Sequence, residues 1–131
     1  MISQVHHIGC LVHSIDDSIA DYLILNPEGQ ISELFVIAEQ KVHVRFFSIA
    51  GMQIEFVQPF DEQSTLFRQL KKNPGYYHIG IYTNDIDTEI ERLEKNGYRK
   101  LNKFQSIAFG NRYCAFLYNL EMHLIELIEI A

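Results

Sequence analysis

Residues 7–22, HIGCLVHSIDDSIADY, return 71 positions later as residues 78–93, HIGIYTNDIDTEIERL. Six of the sixteen positions are identical: His7/His78, Ile8/Ile79, Gly9/Gly80, Ile15/Ile86, Asp16/Asp87 and Ile19/Ile90. Both copies read strand, cap, amphipathic helix. The first strand runs from about Gln4 to Val12. Ser14, with Asp17 three residues on, marks a helix start, and Ile15, Ile19, Tyr22 and Leu23 form its apolar stripe. Asn26-Pro27 and Gly29 end that helix. In the second copy Tyr76 to Thr83 is the strand, Asp85 takes the place of Ser14, and Ile86, Ile90 and Leu93 make the stripe. Asn96-Gly97 supplies the stop.

Working outward, each helix is followed by three strand candidates: Ile31 to Ala38, Lys41 to Ile49 and Met52 to Pro59, then Tyr98 to Gln105, Arg112 to Tyr118 and Met122 to Ile130. Each half therefore reads βαβββ, an α+β class, with the apolar face of each last strand carrying the helix. Asp61 to Lys72 has Leu66, Phe67 and Leu70 at helical spacing and reads as a linking helix, ended by Asn73-Pro74-Gly75. A chain of 131 residues is one domain by length. Within it, residues 1–60 form the first module, 61–75 the link and 76–131 the second module.

The composition, 47% hydrophobic and 21% charged, is that of a globular protein and excludes disorder and fibrous folds. The net charge of −6 comes wholly from residues 1–40, which hold six carboxylates and no Lys or Arg. Net acidity without a long basic run argues against nucleic acid as a partner. The cluster Arg92, Lys95, Arg99, Lys100 and Lys103 reads as a solvated face. No stretch approaches the length of a membrane span, and no export signal is readable. Cys10 and Cys114 lie in apolar strand-like runs without CxxC spacing, as expected of reduced, buried thiols in a cytoplasmic protein.

The 71-residue offset also pairs Glu55, in MQIEFVQ, with Glu126, in HLIELIE, without a gap. A carboxylate amid apolar strand residues is costly to bury unless it is paired. Strand alternation puts Gln53, Glu55 and Val57 on one face and Ile54 and Phe56 on the other, and likewise separates Leu124, Glu126 and Ile128 from Ile125 and Leu127. Singly, such a Glu reads as facing solvent on an open sheet and such a His as a satisfied strand histidine. Four in register, His7, Glu55, His78 and Glu126, read as a mixed nitrogen and oxygen site for one divalent ion, with two waters completing an octahedron. His6, His13, His43 and His123 have no partner in the repeat and read as structural or surface residues.

On these segments the chain resembles the vicinal oxygen chelate superfamily, whose members pair two βαβββ modules into an open, cup-shaped mixed sheet around a metal, with helices outside. HHIGCLV, the EQ-x-V opening the third strand at Glu39, IEFVQP, YHIGIYTNDID and LIELIE are most similar to methylmalonyl-CoA epimerases, with lactoylglutathione lyases close behind. The resemblance implies His7, Glu55, His78 and Glu126 as ligands of cobalt, nickel, manganese or zinc. It also implies Glu39, 16 residues before Glu55, as a catalytic carboxylate alongside Glu126. Two departures stand out: Asn119-Leu120-Glu121-Met122-His123 replaces a Gly-rich approach to the last strand and is expected to narrow the pocket, and the loop Ser106 to Asn111 carries only Gly110.

The chemistry implied is abstraction of a proton alpha to a thioester or carbonyl, with the metal acting as Lewis acid on the resulting oxyanion. In the epimerase form the substrate is an acyl-CoA; in the lyase form, a glutathione hemithioacetal. Ring-cleaving dioxygenase chemistry fits poorly, because a fourth protein ligand takes a position oxygen needs. A non-catalytic binding module of the same fold is the other alternative, although such modules lose metal ligands. An acidic chain taking an anionic thioester needs cations such as Lys41, Arg45 or Arg112 near the site. A homodimer is implied by the resemblance alone.

Overall fold

In the computed structural model, which describes residues 2–130, both helix starts are satisfied as their spacing requires. Ser14 accepts a hydrogen bond from Asp17 N at 3.1 Å and opens α1, Ile15–Leu25. Asp85 accepts from Thr88 N at 3.1 Å, which the sequence places at the head of the second helix, Ile86–Lys95. A second support also repeats. Gln58 Oε1 accepts from Ile15 N at 2.8 Å, and Glu129 Oε2 accepts from Ile86 N at 2.9 Å. Gln58 and Glu129 are themselves 71 apart, so the last strand of each half reaches back to satisfy the first orphan amide of its helix.

The remaining elements are β1 (Ile2–Leu11), β2 (Gln30–Ile31), β3 (Phe35–Ile37), β4 (Val42–Ile49), β5 (Met52–Pro59), α2 (Thr65–Lys72), β6 (Gly75–Thr83), β7 (Arg99–Ser106), β8 (Arg112–Tyr118) and β9 (Leu124–Glu129). The helix Ile86–Lys95 is α3, and a 3-10 turn covers Ile107–Phe109. No described helix is long and apolar enough to cross a membrane.

The chain divides into two compact units, one running from His7 to Tyr77 and the other joining the residues before His7 to those from His78 onward. In the first, the strand order is β2-β4-β5-β1, with β3 also on β4; β1 and β5 are parallel and the other pairs antiparallel. In the second, the order is β6-β9-β8-β7, with β6 and β9 parallel. Each is an open mixed sheet, with α1 packed on one face of the first and α3 on one face of the second, the α+β arrangement read from the sequence.

The apolar stripes meet the expected strand faces. Ile15 and Ile19 of α1 bury against Phe47 and Phe56, with Ile54, Tyr22 and Leu23 packed around them. Ile86, Ile90 and Leu93 of α3 bury against Ala115, Leu117 and Leu127, with Ile125 alongside. The turn between β4 and β5 is Ala50-Gly51, both at positive φ (49° and 81°), the mirror-image conformation that lets a two-residue hairpin follow the strand twist.

Several boundaries differ from the sequence reading. The strand expected over Ile31 to Ala38 is broken into β2 and β3. At the break Ser32 N still donates to Phe46 O at 2.9 Å, but Phe46 N donates to the Ser32 hydroxyl at 2.8 Å, that hydroxyl donates to Glu33 O at 2.7 Å, and the register has shifted by one residue where β3 begins. Glu39 lies in the turn between β3 and β4 and does not open a strand, because the chain must reverse there, with Lys41 at φ 54°. The linking helix starts at Thr65, capped by Ser64, and not at Asp61. Cys114 is buried, Cys10 is half-buried against α1, and neither is in a disulfide. Part of the expected solvated basic face is paired: Lys103 Nζ contacts Asp87 at 2.8 Å and lies over the Tyr113 ring.

Glu89 is a buried acid that the sequence reading did not single out. It sits in the apolar stripe of α3, 2% exposed, and is bonded by the guanidinium of Arg92. That bond holds its carboxyl below the ordinary Glu range, against burial, which pushes it up. A folded-state value below the unfolded one contributes stability above about pH 4.3 that is lost as pH falls through the folded value. Glu89→Gln is therefore expected to lower Tm at neutral pH, with the difference from wild type shrinking toward about pH 3. Melts showing the same difference at both ends would refute the assignment.

Candidate metal centre

The pleat of β5 and β9 decides where the two central carboxylates go. Register places Glu55 beside Gly9 of β1 and Phe46 of β4, whereas its neighbour Phe56 pairs with Cys10 and Arg45 on the α1 side. The second unit repeats this: Glu126 lies beside Gly80 of β6 and Phe116 of β8, and Leu127 lies beside Ala115 on the α3 side. Each Glu therefore points away from its helix, and the neighbour on the β1 or β6 side is a glycine with no side chain to occupy that flank.

Two residues before each glycine stands the histidine, on the same face by alternation. His7 Nε2 lies 3.7 Å from Glu55 Oε1, with the side chains 0% and 7% exposed. His78 Nε2 lies 3.3 Å from Glu126 Oε1, at 1% and 5%. The structure thus brings each expected His to its expected Glu, fully buried, rather than leaving the acids in solvent.

The donor set fits a divalent ion. With ligand bonds of about 2.1 Å, neighbouring ligand atoms stand about 3.0 Å apart in an octahedron and about 3.4 Å apart in a tetrahedron. The 3.3 Å gap falls in that interval, and the 3.7 Å gap lies slightly outside it, beyond hydrogen-bond length. Each unit offers one imidazole nitrogen and one carboxylate oxygen, a combination suited to first-row metals. Glu55 also acts locally: the Cys10 thiol is pushed up by burial first and by the Glu55 charge second.

A model of the Glyoxalase/Bleomycin resistance protein/Dioxygenase superfamily matches residues 6–116, most of the chain. The chain belongs to this superfamily. Among similar proteins, the uncharacterized protein YqjC of Bacillus subtilis is 27% identical, the match covering 98% of this chain and 93% of YqjC. A mitochondrial methylmalonyl-CoA epimerase of Dictyostelium discoideum is also 27% identical, over 98% of this chain and 79% of its own length. In fold, the chain is similar to a variant of Streptomyces coelicolor methylmalonyl-CoA epimerase in complex with 2-nitronate-propionyl-CoA, with a TM-score of 0.87 at 23% identity, covering all of this chain and 96% of that one.

Other expected site residues are placed differently. Glu39 is exposed, and its turn is tied down by Ser64, whose hydroxyl donates to Gln40 O at 2.9 Å. Arg45 cannot serve as a cation beside Glu55: it pairs with Phe56, so alternation sends it to the α1 face. Lys41 and Arg112 are exposed at strand ends. The segment Asn119 to His123 is a turn held by the Asn119 side chain, which accepts from Glu121 N and His123 N. Its Leu120 lies by Gly97 at the end of α3. Of the unrepeated histidines, His13 and His123 are exposed, His43 packs on Phe60, and His6 meets the rings of Tyr82 and Phe109 edge-on.

Proposed function

We propose that this chain is a divalent-metal-dependent enzyme acting on the α-proton of an acyl thioester, of the methylmalonyl-CoA epimerase type, with His7, Glu55, His78 and Glu126 holding one ion between them. The observation that carries this reading is the pair of buried His–Glu contacts at equivalent positions of the repeat. Epimerases among the relatives support the choice of thioester substrate.

A divalent ion bound by these residues supplies positive charge against the negative charge that develops on the substrate oxygens. The chain's own groups do the rest. One carboxylate takes the α-proton while the C–H electron pair moves toward the thioester carbonyl, and a second carboxylic acid returns a proton to the opposite face of that carbon. Glu39 and Glu126 fill these two roles. Glu126, as ligand and proton carrier, sits on a rigid strand. Glu39 stands exposed on a turn anchored through Gln40, where it can exchange protons with solvent. Gly9 and Gly80 put no side chain of their own beside the two carboxylates.

The test has two parts. Protein purified without chelators is analysed for metal and titrated with cobalt, nickel, manganese and zinc; about one ion per chain is expected, and a chain that takes up none refutes the metal-dependent reading. The loaded protein is then incubated with methylmalonyl-CoA in deuterated water and the α-proton followed by NMR. Loss of that signal faster than in the enzyme-free control is expected. No acceleration, with turnover of a methylglyoxal–glutathione hemithioacetal instead, would place the chain with the lyases.

A further inference from the structure

Each candidate histidine has an aromatic neighbour in an equivalent place. The His7 ring meets Phe46 edge-on, with centroids 5.7 Å apart and planes at 71°. The His78 ring meets Phe116 at 5.4 Å and 85°. Both phenylalanines stand directly across the antiparallel ladder from the candidate ligand, Phe46 opposite Glu55 and Phe116 opposite Glu126. Behind each lies a second ring: Phe35 of β3 is 6.2 Å from Phe46, and Phe104 of β7 is 5.8 Å from Phe116. Their registers agree as well, since Phe35 pairs with Val44 and Phe104 with Cys114, each two residues before the inner phenylalanine.

Fixed-offset comparison misses this arrangement. Histidines and glutamates repeat at 71, Phe35 and Phe104 at 69, and Phe46 and Phe116 at 70, because the second half is two residues shorter between its histidine and its outer ring and one residue longer across each following hairpin. The ring series His–Phe–Phe is conserved between the halves in space while its spacing drifts. Only the outer contact differs in kind, edge-on at 72° in the first unit and stacked at 20° in the second.

An imidazole is held by its backbone only as far as χ1, and its χ2 torsion is broad. A ligand histidine must present one nitrogen in a fixed direction, so whatever contacts its faces and edges sets metal affinity. We propose that Phe46 and Phe116 are positioning residues that fix the rings of His7 and His78 so that Nε2 points to the neighbouring carboxylate, each buttressed by Phe35 or Phe104. The proposal rests on the metal-centre reading above.

Phe46→Leu and Phe116→Leu remove the flat ring while keeping an apolar side chain. Phe47→Leu is the control, because Phe47 is equally buried but belongs to the α1 core. Cobalt titration followed by its d–d absorption, below the melting point of every variant, should give about 10-fold weaker binding or more for the first two, the range of outer-shell substitutions, with an altered band shape. Phe47→Leu should lower Tm and bind cobalt as wild type does. Wild-type affinity in both ring variants, or an equal loss in Phe47→Leu, overturns the proposal. Phe46→Met and Phe116→Met replace a Leu variant that does not fold.

The imidazole resonances of the metal-free chain provide a readout independent of the ion. His7 should shift in Phe46→Leu only and His78 in Phe116→Leu only; unchanged resonances in both refute the positioning role. If wild type takes up no cobalt, the metal-centre reading fails, and these resonances alone decide whether the rings are held by the phenylalanines.

Discussion

Glu126→Ala is expected to abolish α-proton exchange on an acyl thioester and to weaken divalent-ion binding by at least about 100-fold, the upper end of what loss of a mere outer-shell partner costs. In the proposed reading Glu126 is both ligand and proton carrier, so restoring the metal should not restore the reaction. Glu55→Ala separates the two functions. It should weaken binding comparably, since Glu55 lies 3.7 Å from His7 as Glu126 lies 3.3 Å from His78, yet regain part of the exchange rate at saturating metal. Glu39→Ala should leave the metal dissociation constant unchanged and lose exchange. Calorimetric titration and NMR exchange on the same preparations provide both numbers. If only one of the two strand glutamates affects binding, the symmetric four-ligand site is wrong.

The largest loss of stability is expected from Phe56→Ala, about 3–5 kcal/mol, the range for deleting a buried aromatic side chain. Phe56 is 1% exposed. It joins Ile15 and Ile19 of α1 to Phe47 of β4 and takes the Tyr22 ring edge-on at 5.1 Å. Its removal strips a large part of the surface on which α1 is seated, and Phe47 beside it is itself fully buried. Against a typical total of about 5–15 kcal/mol, that loss leaves the chain marginal. Urea denaturation measures it directly, and a change below about 1 kcal/mol would mean that the α1 face repacks. Phe60→Ala offers the contrast: Phe60 is 40% exposed and meets the His43 ring at a tilt, so its loss should be small.

Much of this was legible in the repeat. His7 with His78, Glu55 with Glu126, Ser14 with Asp85, and the stripes Ile15-Ile19 and Ile86-Ile90 share one offset, because strand, cap and helix cannot change length without dismantling the unit. Gln58 and Glu129 shared it too; their role was hidden because a side chain reaching a helix amide 43 residues away leaves no local pattern. The rings of Phe46 and Phe116 escaped for the opposite reason. Hairpin loops absorb single insertions cheaply, so the offset drifts while the pairing across the ladder stays. The break at Ser32 was invisible because apolar Ile31, Leu34 and Val36 read as a continuous strand, and what interrupts it is a hydroxyl's choice of partner together with a one-residue register shift. Glu39 was mislocated by one element for a related reason: EQ-x-V has the composition of a strand start, and the reversal at Lys41 is a backbone matter.

Glycines inside strands ordinarily weaken a sheet, since they add backbone entropy to the unfolded chain and contribute no cross-strand contact. Gly9 and Gly80 are such positions, both buried, both beside the carboxylate that the fold holds away from water. Thermostabilisation by filling strand glycines with Val or Ile would therefore select the two places where added bulk competes with whatever the carboxylates are there to bind. On the proposed reading, a more stable version of this chain is to be sought in the loops and on the helix faces instead.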